Sequence, residues 1–321
     1  MMPTTLYSKP YRTPADLIND LKSKQLEFLD ESEAENTLSQ ISYYHFKIYL
    51  HPLLDAASPG GKHYRKDEYF EYGVELYRFD EKLRMLLFAV IARLEVKLRS
   101  RLDHALSAYS NNPFWYLDDK YFFTKKGSGY IDSTRRKIQS SFSEEGELYA
   151  RNYRSKYHNN IHPQFTDLPP FWIASEVITI GCLFRIFDAI DHGYFRRLAT
   201  PANTLLDNLA KEFGANDIKV LTNWVRRLRD IRNRCAHHSR LWNAKLAAPS
   251  QIAGELSISE THQYRPYLSI CVVHKMIKSL GLSGIDLKGD LLRLFAGSHA
   301  AQLYMAETGF PQGWEADPFW N

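Results

Sequence analysis

The sequence predicts an all-α fold, a helical bundle with additional helices at both ends. Three observations lead to that reading. Apolar residues recur at steps of three and four through several long segments, the spacing that lines one face of a helix. No segment sustains a period-two alternation joined by hairpin turns, and no internal repeat is visible. Clusters of proline, glycine and asparagine punctuate the apolar segments where helices would have to stop.

The composition bounds the class of protein. A chain of 321 residues with 44% hydrophobic and 24% charged residues can bury a sizeable core in an ordinary globular way. Aromatic residues are abundant, with 20 Tyr and 18 Phe spread along the chain. The net charge of +4 is modest, so local clustering of charge says more than its total. Cys182, Cys235 and Cys271 are widely separated and each sits in an apolar pattern, which suits reduced buried thiols better than a disulfide framework. The opening MMPTTLYSKPYRTPADL has no apolar core of a signal peptide, and the apolar runs at 85–92 and 177–184 are too short to span a bilayer. The expectation is a soluble, cytoplasmic protein with no membrane partner.

Taken in order, Lys9 to Pro14 reads as an extended lead-in, with Thr13 capping a helix that has Pro14 at its first position. Glu31 to Leu50 reads as a second helical region ending in ISYYHFKIYL. Its Tyr43-Tyr44-His45-Phe46 run is read first as core packing and second as a surface on which bases could stack. Ser58-Pro59-Gly60-Gly61 is a turn. Asp67 to Leu106 then carries a long helical register through Leu76, Phe79, Leu83, Leu86, Leu87, Val90, Leu94, Leu98 and Leu102. Within it Glu95 and Arg99 have ion-pair spacing. Arg93, Lys97 and Arg101 form a basic stripe that is either a solvated face or an RNA-facing surface. Asn111-Asn112-Pro113 ends this helix.

Thr124 to Ser133 reads as a basic loop, Thr134 to Tyr157 as a polar helix, and Tyr157 to Pro170 as the longest irregular stretch. His158 and His162 have helical zinc-pair spacing, but no glutamate lies between them and Pro163 follows, which argues against a metalloprotease-type site. From Pro170 one buried helix is expected to run through FWIASEVITIGCLFRIFDAI, in the register Ile173, Val177, Ile180, Phe184 and Phe187, with Glu176 the odd polar residue. Ala248-Pro249-Ser250 begins a linker, followed by helices over 264–280 and 285–295. The expected organisation is a helical extension over 1–60, a core over 61–247, and further helices packing on it over 248–321.

The stretch Asn216 to Asn243, NDIKVLTNWVRRLRDIRNRCAHHSRLWN, organises the rest. Leu221, Trp224, Val225, Leu228, Ile231 and Cys235 make one apolar face, with Trp242 expected to pack. The other face concentrates Arg226, Arg227, Arg229, Arg232, Arg234 and Arg240, opposed within the stretch by Asp217 and Asp230, and ends in His237-His238. A surface helix that needs only solubility mixes both signs of charge. Arginine binds phosphate through a planar fork that stays charged, and histidine exchanges protons near neutral pH. Together they suit a phosphodiester ligand. A Cys235/His237/His238 zinc site is disfavoured because neighbouring ligands on one helix point apart, and converging carboxylates for two-metal chemistry are lacking.

Arg232-Asn233-Arg234-Cys235-Ala236-His237 has the R-x4-H form found in HEPN-superfamily ribonucleases, and LRDIRNRCAHHSRLWN resembles the bacterial abortive-infection (Abi-like, AbiD and AbiF type) family. The segments PPFWIASEVITIGCLFRIF, the YY element near the N-terminus and the tail MAETGFPQGWEADPFWN are similar as well. The resemblance implies a HEPN-like bundle and a metal-independent endoribonuclease in phage defence or a toxin–antitoxin pair. It would cut single-stranded RNA by attack of the ribose 2′-hydroxyl, with no cofactor and no metal. His237 would transfer the proton, Arg232 clamp the phosphate and Asn233 position it. Arg226, Arg229, Arg234, His238 and Arg240, with Arg93 and Lys97, would bind RNA or support the site. At about 100° per residue, Asn233 and His237 share a face while Arg232 and His237 point about 140° apart. One copy is then an incomplete site, and the resemblance implies a homodimer with a composite one, with RNA as substrate and as a regulatory partner in some relatives. The alternatives are a non-catalytic RNA-binding module on the same scaffold and an arginine helix serving as a dimer seam.

Overall fold

The computed structural model describes residues 6–8, 10–123, 129–258 and 262–321. Among them the fold is all-α: helices are joined by turns and by longer irregular segments over 157–170 and 237–251, and the only β-type pairing is three isolated bridges. Thr13 caps α1 (Pro14–Ser23) in a capping box with Asp16, as its sequence predicts. The expected second helical region divides into α2 (Glu31–Gln40), the single turn α3 (Tyr43–Phe46) and a 3-10 segment over Lys47–Leu53, because Ile41 is extended and Pro52 cannot donate to a helix. Its aromatic run splits by position: Phe46 and Tyr49 are buried, while Tyr44 is 81% exposed beneath the Lys47 ammonium.

The spine is α4 (Phe70–Ser110), whose 41 residues run for about 60 Å. Its predicted register is buried except at Leu86, which is half-buried. It stops at Asn111, which takes a left-handed conformation with φ 47°. Two expectations beyond it are corrected. Residues 124–128 of the expected basic loop lie outside the described residues, but 129–133 are helical, the start of α5 (Gly129–Glu144). The polar helix predicted through Tyr157 breaks before α6 (Leu148–Lys156), because the Arg154 guanidinium takes the carbonyls of Phe142 and Glu145 at the end of α5.

The buried helix from Pro170 is also two, α7 (Phe171–Val177) and α8 (Ile180–Ala189). Thr179 caps α8 by accepting the Cys182 N–H at 3.3 Å. The carbonyls freed at the break, those of Ser175 and Ile178, each accept a 2.8 Å hydrogen bond from Arg99 of α4. Beyond α9 (His192–Arg196) and α10 (Leu205–Glu212), the arginine-rich α11 (Ile218–Ala236) lies between α4, α8 and α12 (Pro266–Ser279). The chain closes with α13 (Leu287–Ala296), α14 (His299–Leu303) and a tail of 3-10 turns whose Trp314 and Trp320 are buried. One continuous apolar cluster runs from Leu17 to Trp320, with α4 and α11 through its middle. Among the described residues no helix is long and apolar enough to cross a membrane.

Candidate functional site

Asp217 starts α11 by accepting the N–H groups of Lys219 and Val220 at 2.8 and 2.9 Å. The apolar face, Leu221, Trp224, Val225, Leu228, Ile231 and Cys235, is buried as its spacing predicts. That burial fixes which residues face outward. The helix ends in a Schellman turn: the Ser239 N–H returns to the Arg234 carbonyl at 2.8 Å and the His238 N–H to that of Cys235 at 3.2 Å. His238 fills the left-handed position of this turn, φ 55°, where glycine is the usual residue. The backbone, not a side-chain bond of His238, thus closes the helix, and both His237 and His238 remain exposed.

Past this turn the chain is anchored at a residue the sequence reading passed over. Asp80 of α4 is fully buried and accepts the N–H groups of Leu241 and Trp242 at 3.0 and 2.6 Å, the Tyr49 hydroxyl at 2.7 Å, and the Arg84 guanidinium. Burial pushes its carboxyl above the ordinary range, opposed by the charge of Arg84 and these donors. The signal was present: Asp80 is a carboxylate at a core position in the register Leu76, Phe79, Leu83. Trp242 is buried as expected, edge-on to Phe79.

The residues from 36 to 243 match the family described as Abi-like protein, a span that covers more than half the chain and ends one residue beyond this anchored Leu241-Trp242 pair. The chain belongs to the Abi-like family. No curated protein and no solved structure matches it.

In this Abi-like chain the three residues expected from the sequence to carry catalysis face different ways. Arg232 turns toward α4, with its guanidinium over the Phe88 ring at 5.6 Å and its Nε 3.8 Å from Glu95. Glu95 also holds Arg99, so the expected Glu95–Arg99 pair is present and is shared with Arg232. Asn233 instead lines an open cleft of about 840 Å³ between α11, the first turn of α8, α5 and the segment 245–247. His237 sits beyond it at the helix end. Among the described residues no hydrogen bond or ion pair joins the side chains of these three.

The supporting arginines divide likewise. Arg226 and Arg229 both lie over the buried Phe184 ring, at 4.9 and 4.5 Å, and border the cleft. Counter-charges within the stretch are not their only ones, since Asp188 approaches Arg226 at 3.6 Å. Arg234 borders the cleft while reaching the Arg240 carbonyl at 3.3 Å. Arg240 donates to the carbonyls of Trp242 and Asn243 and so braces its own turn. On α4, Arg93 donates to the Ser283 carbonyl and Arg101 forms a two-pronged pair with Glu212, while exposed Lys97 has no hydrogen-bond or ion-pair partner among the described residues. Lys137, Arg185 and Lys245 also border the cleft; they lie on three separate elements, so no spacing in the sequence connects them.

The geometry disfavours two metal-site alternatives. The Cys235 thiol is pushed up to about 12 by burial, which disfavours the thiolate a metal or a nucleophile would need at neutral pH. The one group of metal-ligating composition among the described residues is Asp119, Asp132 and His162. There the fully buried Arg135 already binds Asp119 at 2.5 Å and Asp132 at 2.9 Å, placing a guanidinium between the two carboxylates. His158 and His162 lie in a stretch without a helix, as expected, so their spacing creates no ligand pair.

Proposed function

We propose that this protein is a metal-independent endoribonuclease of HEPN type that cleaves single-stranded RNA in abortive infection, either alone or as the toxin of a toxin–antitoxin pair. The observation that carries the reading is the end of α11. An exposed histidine, His237, follows directly on a helix whose outward arginines and Asn233 border a cleft lined by one carboxylate, that of Asp230, among its described residues.

Cleavage without a metal needs a base for the ribose 2′-hydroxyl, an acid for the leaving 5′-oxygen, and cations for the charge that builds on phosphorus. His237, exposed and with no side-chain partner among the described residues, can exchange the protons. Arg232 and Asn233 supply the fork and the amide that hold the phosphate. Arg232 is borrowed in this arrangement by Glu95, 3.8 Å away, and turned from the cleft, so one chain does not gather the three groups. We take a second copy to complete the site. Met85, Phe88 and Val96 of α4 are 62%, 39% and 63% exposed and lie within an arc of about 80° of helix surface beside Arg232, an apolar face suited to a partner.

The test incubates the protein with labelled single-stranded RNA in excess EDTA, beside His237→Ala and a DNA strand of the same sequence. Cleavage of RNA alone, leaving a 2′,3′-cyclic phosphate and lost in the variant, is expected. Binding without cleavage in both proteins would favour the RNA-binding module.

A further inference from the structure

Arg227 is the one arginine of α11 that is buried, at 6% exposure, yet it borders the cleft. Its Nη1 donates to the Ala247 carbonyl at 3.1 Å and its Nη2 lies 3.5 Å from Asp230, while its Nε has no partner among the described residues. Burial lowers its pKa, the mark of a cation held away from water without full compensation. An unsatisfied buried donor is uncommon in a folded protein, and here it leaves an under-compensated cation beside the cleft. The first turn of α8 meets the same space through Thr179, Gly181 and Cys182. Its Thr179 cap occupies the Cys182 N–H, and the N–H groups of Ile180 and Gly181 precede the first intrahelical bond. A helix start of this kind attracts anions. Lys137, Arg185 and Lys245 close the cleft from three sides.

We infer that this cleft is a backbone subsite that holds phosphodiester groups of the RNA strand away from the scissile bond, with the α8 start and Arg227 at its floor and Lys137, Arg185 and Lys245 around its rim. The inference rests on RNA being the ligand, as proposed above, but not on cleavage. At about 840 Å³ the cleft falls within the range of sites that engulf a small ligand, so it grips a short stretch of a longer chain. It reads charge more than sequence, because apart from Asp230 its charged side chains are all cations suited to phosphate.

The experiment measures binding in the His237→Ala background, so that no substrate is consumed. A fluorescently labelled single-stranded oligoribonucleotide is titrated at several salt concentrations, with a deoxyribonucleotide strand of the same sequence alongside. Two variants are compared, Gly181→Asp and Lys137→Glu. A Cβ at Gly181 meets only the Thr179 hydroxyl, at 3.4 Å, and a carboxylate in a first helical turn favours the helix, so Gly181→Asp retains the fold. Each variant is expected to weaken RNA binding about tenfold at low salt and to shallow the salt dependence by about 0.7 per lost contact, with an unchanged melting temperature. The DNA strand is expected to lose affinity in parallel. Unchanged affinity in both variants would overturn the subsite. So would a loss confined to Arg93→Glu and Lys97→Glu on α4, two further variants titrated in the same way. Binding through the cleft by a protein that never cleaves would instead count against the catalytic reading alone.

Discussion

The buried carboxylate of Asp80 accepts the backbone N–H of Trp242 at 2.6 Å, across 162 residues of chain. Through this bond and its neighbour at Leu241, the segment that follows the R-x4-H motif is tied to the first third of α4. Asp80→Ala would strand two backbone N–H groups, the Tyr49 hydroxyl and the Arg84 guanidinium in the core. Losing one member of such a buried network costs about 3–5 kcal/mol, and urea denaturation monitored by tryptophan fluorescence would register it.

His237 and His238 separate function from stability in opposite directions. The His237 side chain makes no capping bond, so His237→Ala is expected to leave the melting temperature unchanged while lowering RNA cleavage by about 10²–10⁴-fold. His238 holds a left-handed conformation that costs a non-glycine residue about 1–2 kcal/mol, so His238→Gly is expected to raise stability. Cleavage assays on the stabilised variant then report whether the His238 side chain supports catalysis.

If the site is completed across two copies, inactive subunits will rescue one another. Mixing Arg232→Ala with His237→Ala chains, after unfolding and refolding them together, is expected to restore cleavage, because one site of the mixed dimer then has both groups. A mixture as inactive as its components would place the whole site within one chain. Sedimentation of the unmixed protein gives the independent check on dimer formation.

Acid should loosen the C-terminal tail. His274 of α12 packs against Trp320 with ring centroids 4.4 Å apart and the ring planes tilted by 37°, and burial, with Lys278 and Lys288 nearby, lowers its pKa to about 4 from the ordinary 6.5. A depressed folded-state pKa means that this contribution is complete above pH 6.5 and is lost as pH falls through 4. The loss amounts to about 3 kcal/mol. His274→Phe keeps an aromatic ring against Trp320 and is expected to flatten the stability profile over that window in thermal melts.

The sequence made the helices legible where their own residues decide them. The α4 register, the Thr13 capping box and the apolar face of α11 follow from local spacing. The break between α7 and α8 does not, because the groups that satisfy its open carbonyls belong to Arg99, 76 and 79 residues away. Nor does the division of the motif: the spacing separates Arg232 from His237, but only the packed structure shows Glu95 and Phe88 claiming Arg232. The cleft draws on α5, α8, α11 and 245–247 together, so its rim had no signature in any one stretch.

The Arg99 side chain acts as a pin through the joint where α7 becomes α8. The direction in which α8 sets out, and with it the floor of the cleft, is decided by a residue that never touches the cleft. Two chains of this family could therefore carry the same R-x4-H motif and the same rim of cations and still present differently shaped grooves. Comparing residue 99 and the pair 178–179 across relatives would sort them by groove geometry before any alignment of their motifs did.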